Sequence, residues 1–245
     1  MIAGLPMYDR PETAAAHDSF WHLIRAALSD RNIESPAQLT RDIDPWKLWK
    51  HPQLVLAQTC GLPYRARLHG QVSLVGTPDF GLPGTAPGYY YSEIIVRLND
   101  PRESPGAFSE AALAYNDAMS QSGWAAISAT GARFAQRLCT GGHRASALAV
   151  VEGRADIAAV DAVTWRDLQR HEPGLSDRLR SLGGTDPTPG LPYIAAKDAD
   201  AECIAEAVTA AIAQLSTIDR DTLGITGLAR IPAKDYLALP LPPQP

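Results

Sequence analysis

Apolar residues along the chain alternate between short continuous runs and longer stretches with helical spacing. Residues 2–7 form a first short run, and after Thr13 apolar side chains recur every three or four positions as far as Leu28. Residues 53–58 and 71–77 are further apolar runs of strand length. Such an alternation of strands and helices is typical of an α/β fold, with Thr13 as the cap of the first helix.

The middle of the chain repeats this pattern at shorter spacing. The predicted strands are residues 114–116, 136–140 and 156–160, and the predicted helices are residues 109–113, 122–133, 144–152 and 162–171. Strands joined through helices run parallel, so we expect parallel strands here. A last long helix is predicted at residues 198–215, and the proline-rich residues after Leu239 are predicted to be a loose end.

Two segments rich in proline and glycine interrupt the alternation. The first follows the β-branched run that ends at Arg97, and it contains Asn-Asp-Pro at residues 99–101 and Ser-Pro-Gly at residues 104–106. The second, residues 186–192, has three prolines. Because such segments break regular structure, we expect the chain to cross between two lobes at both places.

Three junctions between a loop and a helix carry small polar residues or a carboxylate. Ser-Gln-Ser-Gly at residues 120–123 precedes one predicted helix, Thr-Gly-Gly-His at residues 140–143 precedes another, and Asp161 opens a third. The first turn of a helix has unpaired N–H groups and a partial positive charge, which favour a small anion. We therefore expect the three junctions to form a ligand site.

The first part of the chain offers a second group of polar residues at strand ends. Tyr8 and Asp9 follow the first strand, and Gln58 and Thr59 follow the strand at residues 53–58. Open α/β sheets bind ligands at the carboxyl ends of their strands. Two alternatives stay open, namely an exposed tyrosine in a turn at Tyr8 and a helix cap at Thr59.

Composition excludes several classes of function. The net charge is −5, with 22 basic and 27 acidic residues and no basic stripe, so nucleic acid is not an expected partner. Cys60, Cys139 and Cys203 are scattered, which indicates neither a disulfide framework nor a zinc site, and we expect no metal and no cofactor. No run approaches the roughly 20 apolar residues that span a bilayer. The chain as written begins without a leader, which predicts a cytoplasmic protein, or a periplasmic one if a leader was removed.

An ordered set of short motifs resembles a known family. The set is Gln-Thr-x-Gly-x-Pro-Tyr at residues 58–64, Tyr-Ser at 91–92, Asn116, Ser-x-Ser-Gly at 120–123, Thr-Gly-x-His at 140–143 and Gly-x-Ala-Asp-Ile-Ala-Ala-Val-Asp at 153–161. It is similar to the phosphonate-binding (PhnD-like) family, whose members are solute-binding proteins of ABC transporters. The resemblance covers roughly residues 2–235.

The resemblance implies a type 2 periplasmic-binding-protein-like fold, a Venus flytrap of two α/β lobes joined by two crossing strands. The first lobe would be residues 1–95 plus 190–245, and the second would be residues 96–189. Family ligands are phosphonates, phosphite or related oxyanions, and an ABC permease is the implied partner. The predicted ligand-binding residues are Tyr8, Gln58, Thr59, Tyr91, Asn116, Ser120, Gln121, Ser122, Gly123, His143 and Asp161.

The chemistry of these side chains agrees with a small anionic or zwitterionic ligand. Hydroxyl groups and helix N–H groups hold oxyanion oxygens, and His143, with a pKa expected near neutrality, would donate a further hydrogen bond. Asp161 would suit an amino group or a protonated oxygen of the ligand. Gln121 stands where the family usually has a small hydroxyl residue. For His143 a helix cap or a core position is the alternative, and Asp161 would also serve as an N-cap.

Three functions remain open on this reading. A solute-binding protein is favoured, because polar groups lie at strand and helix ends without a recognisable set of nucleophile, base and orienting group. An enzyme on the same fold would use Cys60 or His143 as its reactive group. A cytoplasmic ligand sensor without a transporter is the third.

Overall fold

The computed structural model describes residues 1–245 and is a mixed α/β structure. The strands are β1 (Ile2–Gly4), β2 (Leu54–Gln58), β3 (Val72–Asp79), β4 (Tyr89–Tyr90), β5 (Ser92–Arg97), β6 (Ala112–Tyr115), β7 (Gln136–Cys139), β8 (Ile157–Asp161), β9 (Leu179–Gly184), β10 (Thr188–Pro189), β11 (Tyr193–Ala196) and β12 (Gly227–Ala229). They form two sheets of five strands and one of two strands.

Ten α-helices accompany the strands. They are α1 (Ala14–Ser29), α2 (Pro45–Trp49), α3 (Gly61–Pro63), α4 (Ala126–Ala129), α5 (His143–Val151), α6 (Ala162–His171), α7 (Pro173–Ser176), α8 (Ala201–Gln214), α9 (Thr217–Leu223) and α10 (Ala233–Leu237). π-helical turns lie at Tyr64–Leu68 and Gln121–Ala125, and a 3₁₀ turn lies at Pro105–Phe108. No single helix is long and apolar enough to cross a membrane; α8 and α9 pass that test only as a pair, which is bent by 116°.

The chain divides into two compact units. Unit 1 is Met1–Tyr89 with Pro189–Leu239, and unit 2 is Tyr90–Thr188 with Pro240–Pro245. The chain passes between them within β4 and β10, which pair with each other. The division differs from the expected residues 1–95 and 190–245 in two respects. All of β5 belongs to unit 2, because it pairs with β8 on one side and β9 on the other, and residues 240–245 also join unit 2.

Unit 1 is built on a sheet with the strand order β1-β2-β11-β3-β12. β1 and β2 are parallel, whereas β11 is antiparallel to both β2 and β3. The apolar stripe expected after Thr13 is found on α1, where Phe20, Ile24 and Leu28 are fully buried. They share one core with the apolar face of α8. Burial of each large apolar side chain contributes about 1.5–3 kcal/mol to the free energy of unfolding. This face therefore holds α1 on the sheet.

Unit 2 has the strand order β7-β6-β8-β5-β9. The expected parallel strands are present, since β6 is parallel to both β7 and β8. β5 is antiparallel to β8, so its amino end lies at the edge where β6, β7 and β8 end. The segments that follow β7, β6 and β8 and the segment that precedes β5 therefore lie side by side at one edge of the sheet.

Two expected helices differ from those observed in unit 2. The short helix expected at residues 109–113 is wrong, because Ala112 and Leu113 belong to β6, where they pair with β7, and Leu113 also pairs with β8. The helix expected at residues 122–133 is shorter. It begins with the π-helical turn at Gln121 and ends with α4, after which Gly131 takes a left-handed conformation with φ +73° that stops a helix.

Candidate functional site

The polar residues of unit 2 meet at the edge of the sheet where β6, β7 and β8 end. Asn116 follows β6, Thr140 follows β7, and Asp161 is the last residue of β8. Tyr91 directly precedes β5, whose amino end lies at the same edge. Because strands that run in one direction release their chain at one edge, the segments that follow them become neighbours.

The segment after β6 forms a tight buried turn. Ser120 is its N-cap, and the Ser120 hydroxyl accepts a hydrogen bond of 2.9 Å from the N–H of Gly123. The N–H of Ala125 donates to the Ser120 carbonyl at 3.0 Å, which closes the wider loop of a π-helical turn. The side chains of Ser120, Gln121 and Ser122 are each at most 5% exposed. The turn therefore presents hydroxyl, amide and N–H groups from a fixed backbone.

Gly123 is needed at this turn for reasons of space. A Cβ atom at residue 123 would lie 1.8 Å from the side-chain oxygen of Asn116 and 3.2 Å from the Ser120 hydroxyl. The Asn116 oxygen is buried and has no hydrogen-bond partner. Asn116 therefore packs directly on the backbone of the turn, and only glycine leaves room for it.

His143 joins this cluster from the first turn of α5. Its Nε2 lies 2.7 Å from the Ser122 hydroxyl and 3.4 Å from the amide nitrogen of Asn116. The Ser120 and Ser122 hydroxyl oxygens are 3.5 Å apart. Since an amide nitrogen can only donate, we assign Nε2 as the acceptor, with the ring proton on Nδ1. Ser122 then directs its hydroxyl hydrogen at His143 in the absence of a ligand.

The electrostatics of His143 differ from the expectation of a pKa near neutrality. Burial of the ring lowers the pKa of His143 to about 4, against a weaker opposing effect from the backbone of Ala159. The imidazole is therefore neutral at pH 7 before an anion binds. The side chains within hydrogen-bond distance of the ring are Ser122 and Asn116.

Thr140 is a residue of this region that the sequence did not single out as a ligand residue. Its hydroxyl lies 2.6 Å from the hydroxyl of Ser146 and donates to the Tyr115 carbonyl at 3.1 Å. These bonds tie the end of β6 to the first turns of α5, on which His143 lies. The only sequence signal was its place in the Thr-Gly-Gly-His motif.

Asp161, at the end of β8, and Tyr91, just before β5, lie near each other at the same edge of the sheet. Asp161 pairs with Ser92 in the ladder of β5 and β8, and the Tyr91 carbonyl accepts a hydrogen bond of 3.1 Å from the N–H of Ala162. One oxygen of Asp161 caps α6 by accepting from the N–H groups of Val163 and Thr164 at 2.8 and 3.2 Å. The N-cap alternative for Asp161 is thus confirmed, and its contact with a ligand stays a prediction.

Unit 1 places its three predicted residues at the carboxyl ends of β1 and β2. The Tyr8 ring packs edge-on against Phe80, with 5.0 Å between centroids. Gln58 and Thr59 are buried, and the Gln58 amide donates to the Leu191 carbonyl at 3.3 Å. The Thr59 side chain does not cap α3, which begins without a side-chain cap. The role of Tyr8, Gln58 and Thr59 in binding stays a prediction from the sequence.

The other reactive groups of the chain give no second site. Cys60 is half-buried in the turn before α3, Cys139 is exposed at the end of β7, and Cys203 is half-buried on α8. No group of three or more His, Cys, Asp or Glu side chains is placed to hold a metal ion. Ser120, Ser122, Asn116 and His143 form one hydrogen-bonded cluster at this edge of the sheet.

The chain matches one protein family in sequence and several solved structures in fold. Residues 56–236 match the family described as ABC transporter, phosphonate, periplasmic substrate-binding protein. No curated protein matches the chain. Among solved structures, XAC2383 from Xanthomonas citri bound to ATP has a TM-score of 0.72 and 15% identity, and the match covers 98% of this chain and 94% of that one.

Two further solved structures have the same fold. PhnD1 from Prochlorococcus marinus in complex with methylphosphonate has a TM-score of 0.70 and 15% identity, with 96% of this chain and 94% of that chain covered. A binding protein component of an ABC phosphonate transporter from Pseudomonas aeruginosa has a TM-score of 0.66 and 14% identity, with 93% and 80% covered. At these identities the structures establish a shared two-lobed fold. Because the family match spans most of the chain, this protein belongs to the periplasmic substrate-binding proteins of phosphonate ABC transporters.

Proposed function

We propose that this protein binds a phosphonate or a related small phosphorus oxyanion at the cluster of Ser120, Ser122 and His143, and delivers it to the permease of an ABC transporter. The observation that carries the proposal is the 2.7 Å contact between Ser122 and His143, on a buried turn whose N-cap is Ser120. Delivery to a permease would place the mature protein in the periplasm.

The donors of the cluster suit a tetrahedral anion. Two hydroxyl groups, an imidazole and the backbone of a helical turn converge, and each tetrahedral oxyanion offers several acceptor oxygens to such a set. The hydrogen bonds of this cluster involve no Arg or Lys, so its affinity for anions comes from dipoles and hydrogen bonds rather than from a fixed charge. PhnD1, which shares the fold, holds methylphosphonate, and XAC2383 holds ATP, so phosphorus oxyanions are bound by proteins of this architecture.

The carboxylate of Asp161 favours ligands that carry a hydrogen-bond donor. Asp161 lies at the same edge of the sheet, and its carboxylate repels a fully ionised oxyanion but accepts from an ammonium group or a protonated oxygen. We infer that a hydrogen phosphonate or an aminophosphonate is preferred to sulfate, which has the same shape but no proton to donate at neutral pH.

Isothermal titration calorimetry with the purified full-length chain tests this function. The ligands are methylphosphonate, 2-aminoethylphosphonate, phosphate, phosphite and sulfate. Ser122→Ala removes the hydroxyl that faces His143. Ser128→Ala is the matched control, because the Ser128 hydroxyl donates to the Trp124 carbonyl, one turn earlier along the chain, and not to His143.

We expect one phosphorus compound to bind, with a loss of affinity of at least about tenfold in Ser122→Ala and little change in Ser128→Ala. Equal affinity in both variants would exclude the cluster as the site. Absence of heat and of thermal stabilisation with all five compounds, in a chain that unfolds cooperatively, would exclude a phosphorus oxyanion as ligand.

A further inference from the structure

Trp124, which belongs to the π-helical turn Gln121–Ala125, is held by the last residues of the chain. The indole N–H of Trp124 donates a hydrogen bond of 2.6 Å to the backbone carbonyl of Pro243. Trp124 is only 4% exposed and directly follows Gly123. The segment Pro240–Pro245, expected to be a loose end, is therefore docked, and both partners belong to unit 2.

The exposure of this segment has the period of a polyproline II helix. Leu239, Pro242 and Pro245 are half-buried, whereas the residues between them are exposed. A polyproline II helix has three residues per turn, so one of its edges lies against the protein. Four prolines in six residues restrict the backbone to this conformation before docking, which lowers the entropic cost of ordering.

The side chains packed on Trp124 have the composition of a site for proline-rich ligands. The Tyr115 ring lies 5.4 Å from the Trp124 ring, tilted by 53°, and the Arg137 guanidinium lies 5.6 Å from the Trp124 ring centroid. Domains that bind proline-rich peptides use aromatic grooves in this way. An indole N–H suits a segment whose prolines carry carbonyl acceptors but no backbone donors.

We propose that Trp124, Tyr115 and Arg137 form a docking site for a polyproline II segment, that Pro240–Pro245 of the same chain is its ligand, and that docking fixes the turn at residues 120–123. Trp124 lies in the same π-helical turn, Gln121–Ala125, and the N–H of the next residue, Ala125, closes this turn on the Ser120 carbonyl. A shift of the indole therefore moves the backbone that positions Ser122. The effect on phosphonate affinity rests on the function proposed above, whereas the docking itself does not.

Four full-length variants separate the docking from general effects on stability. In the first, the four prolines at residues 240, 242, 243 and 245 are replaced by glycine, which removes the preference for polyproline II. Trp124→Phe removes the donor and keeps an aromatic ring, and the third variant combines both changes. Leu241→Ser is the control within the segment, because Leu241 is 64% exposed.

The direct measurement is the indole N–H resonance of Trp124 in a ¹⁵N–¹H spectrum, identified as the signal missing from Trp124→Phe. We expect this resonance to shift in the glycine variant and to stay in place in Leu241→Ser. An unchanged resonance in the glycine variant would overturn the docking, whatever the phosphonate affinity turns out to be.

The coupling to the ligand turn is measured by titration with methylphosphonate. We expect about fivefold weaker affinity in the glycine variant, the equivalent of one neutral hydrogen bond. The combined variant should be no weaker than Trp124→Phe alone, because both changes remove the same contact. A shifted resonance with unchanged affinity, in a chain where Ser122→Ala weakens binding at least about tenfold, would overturn the coupling. If the unmodified chain binds no phosphonate, the proposed function fails, and the resonance still decides the docking.

Discussion

The hydroxyl oxygen of Ser122 and Nε2 of His143 lie 2.7 Å apart, although 21 positions separate the two residues in the sequence. The neutral imidazole accepts the hydroxyl hydrogen at Nε2, so the Ser122 hydroxyl is directed at His143 in the absence of a ligand. An oxyanion that binds here either takes the hydroxyl hydrogen from the imidazole or causes the imidazole to gain a proton. In both cases, binding changes the environment that keeps the pKa of His143 at about 4.

We predict that binding of methylphosphonate is linked to proton uptake by His143. A nearby negative charge raises the pKa of an imidazole, and a group whose pKa rises on binding takes up protons at pH values between the free and the bound pKa. Affinity should therefore increase as the pH falls from about 7 to about 5. Calorimetry in buffers with different ionisation enthalpies gives the number of protons taken up.

His143→Gln is the comparison for this prediction. The amide keeps hydrogen-bonding groups but does not titrate, so the proton uptake that remains belongs to the ligand itself. We expect the variant to take up fewer protons and to show a flatter pH profile. The same uptake in His143→Gln and in the unmodified chain would show that His143 stays neutral in the complex.

Gly123→Ala should damage both the fold and the site. The added Cβ would meet the Asn116 side-chain oxygen at 1.8 Å, so Asn116 or the turn must move, at a cost of about 1–3 kcal/mol in the free energy of unfolding. Gly142→Ala is the matched control, because a Cβ there meets nothing within 4 Å and its φ of −172° is open to any residue. Thermal unfolding and ligand titration measure the two effects.

A second substitution tests the cause of that damage. Asn116→Ala in the Gly123→Ala background removes the atoms that the new Cβ would meet, so part of the lost stability should return. Affinity should not return, because Asn116 also donates toward His143. If the double variant is less stable than Gly123→Ala, the clash lies elsewhere in the turn.

Much of unit 2 could be predicted from local signals. Asp161 was recognised from its position after an apolar strand, and it caps α6, whose bounds match the predicted helix at residues 162–171. Glycines and small polar residues at helix starts restrict the backbone over a few positions, so the helical turns that begin at Ser120 and His143 could be predicted without knowledge of packing. Parallel strands then bring such segments to one edge.

Features that depend on distant partners could not be predicted. Ala112 and Leu113 have helical propensity, but pairing with β7, and for Leu113 also with β8, makes them part of a strand. The proline-rich segment has no local sign of docking, because Trp124 is 119 positions from Pro243. The low pKa of His143 arises from burial by the folded unit, which no spacing of residues reveals.

Thr13 offers a test of the predicted role of Tyr8. The Thr13 hydroxyl is buried, donates to the Tyr8 carbonyl at 2.9 Å and accepts from the N–H of Arg10 at 3.1 Å. Thr13→Val keeps the shape and removes both hydrogen bonds, so it should lower the free energy of unfolding by about 1–2 kcal/mol. Thr13→Ser keeps the hydroxyl, so it should lower the free energy of unfolding by less than Thr13→Val does.

The ligand affinity of these variants decides whether the Tyr8 loop contributes to binding. If Tyr8 contacts the ligand, Thr13→Val should weaken binding of methylphosphonate at a temperature where the variant is fully folded, and Thr13→Ser should restore it. Unchanged affinity in a folded Thr13→Val protein would remove Tyr8 from the set of ligand residues.

Asp100 should make unit 2 sensitive to acid. Its side chain is 4% exposed and accepts two hydrogen bonds from the Arg102 guanidinium, at 2.9 and 2.6 Å. These bonds lower the pKa of Asp100 below 3.8, against the opposing effect of burial. A lowered folded-state pKa contributes stability that is present above the unfolded value and is lost as the pH falls through the folded value.

We therefore expect Asp100→Asn to lower the free energy of unfolding by about 1–3 kcal/mol at neutral pH, because it removes the carboxylate that accepts two hydrogen bonds from Arg102 and leaves Arg102 only its longer ion pair with Asp156, at 3.6 Å. The difference from the unmodified chain should shrink below about pH 3.8, where the folded protein also protonates Asp100. Glu152→Gln is the control, because its pair with Arg154 is about half exposed on both sides and should contribute less than about 1 kcal/mol. Urea unfolding at several pH values measures both variants. A constant difference across the acid range would mean that Asp100 acts through packing rather than through its charge.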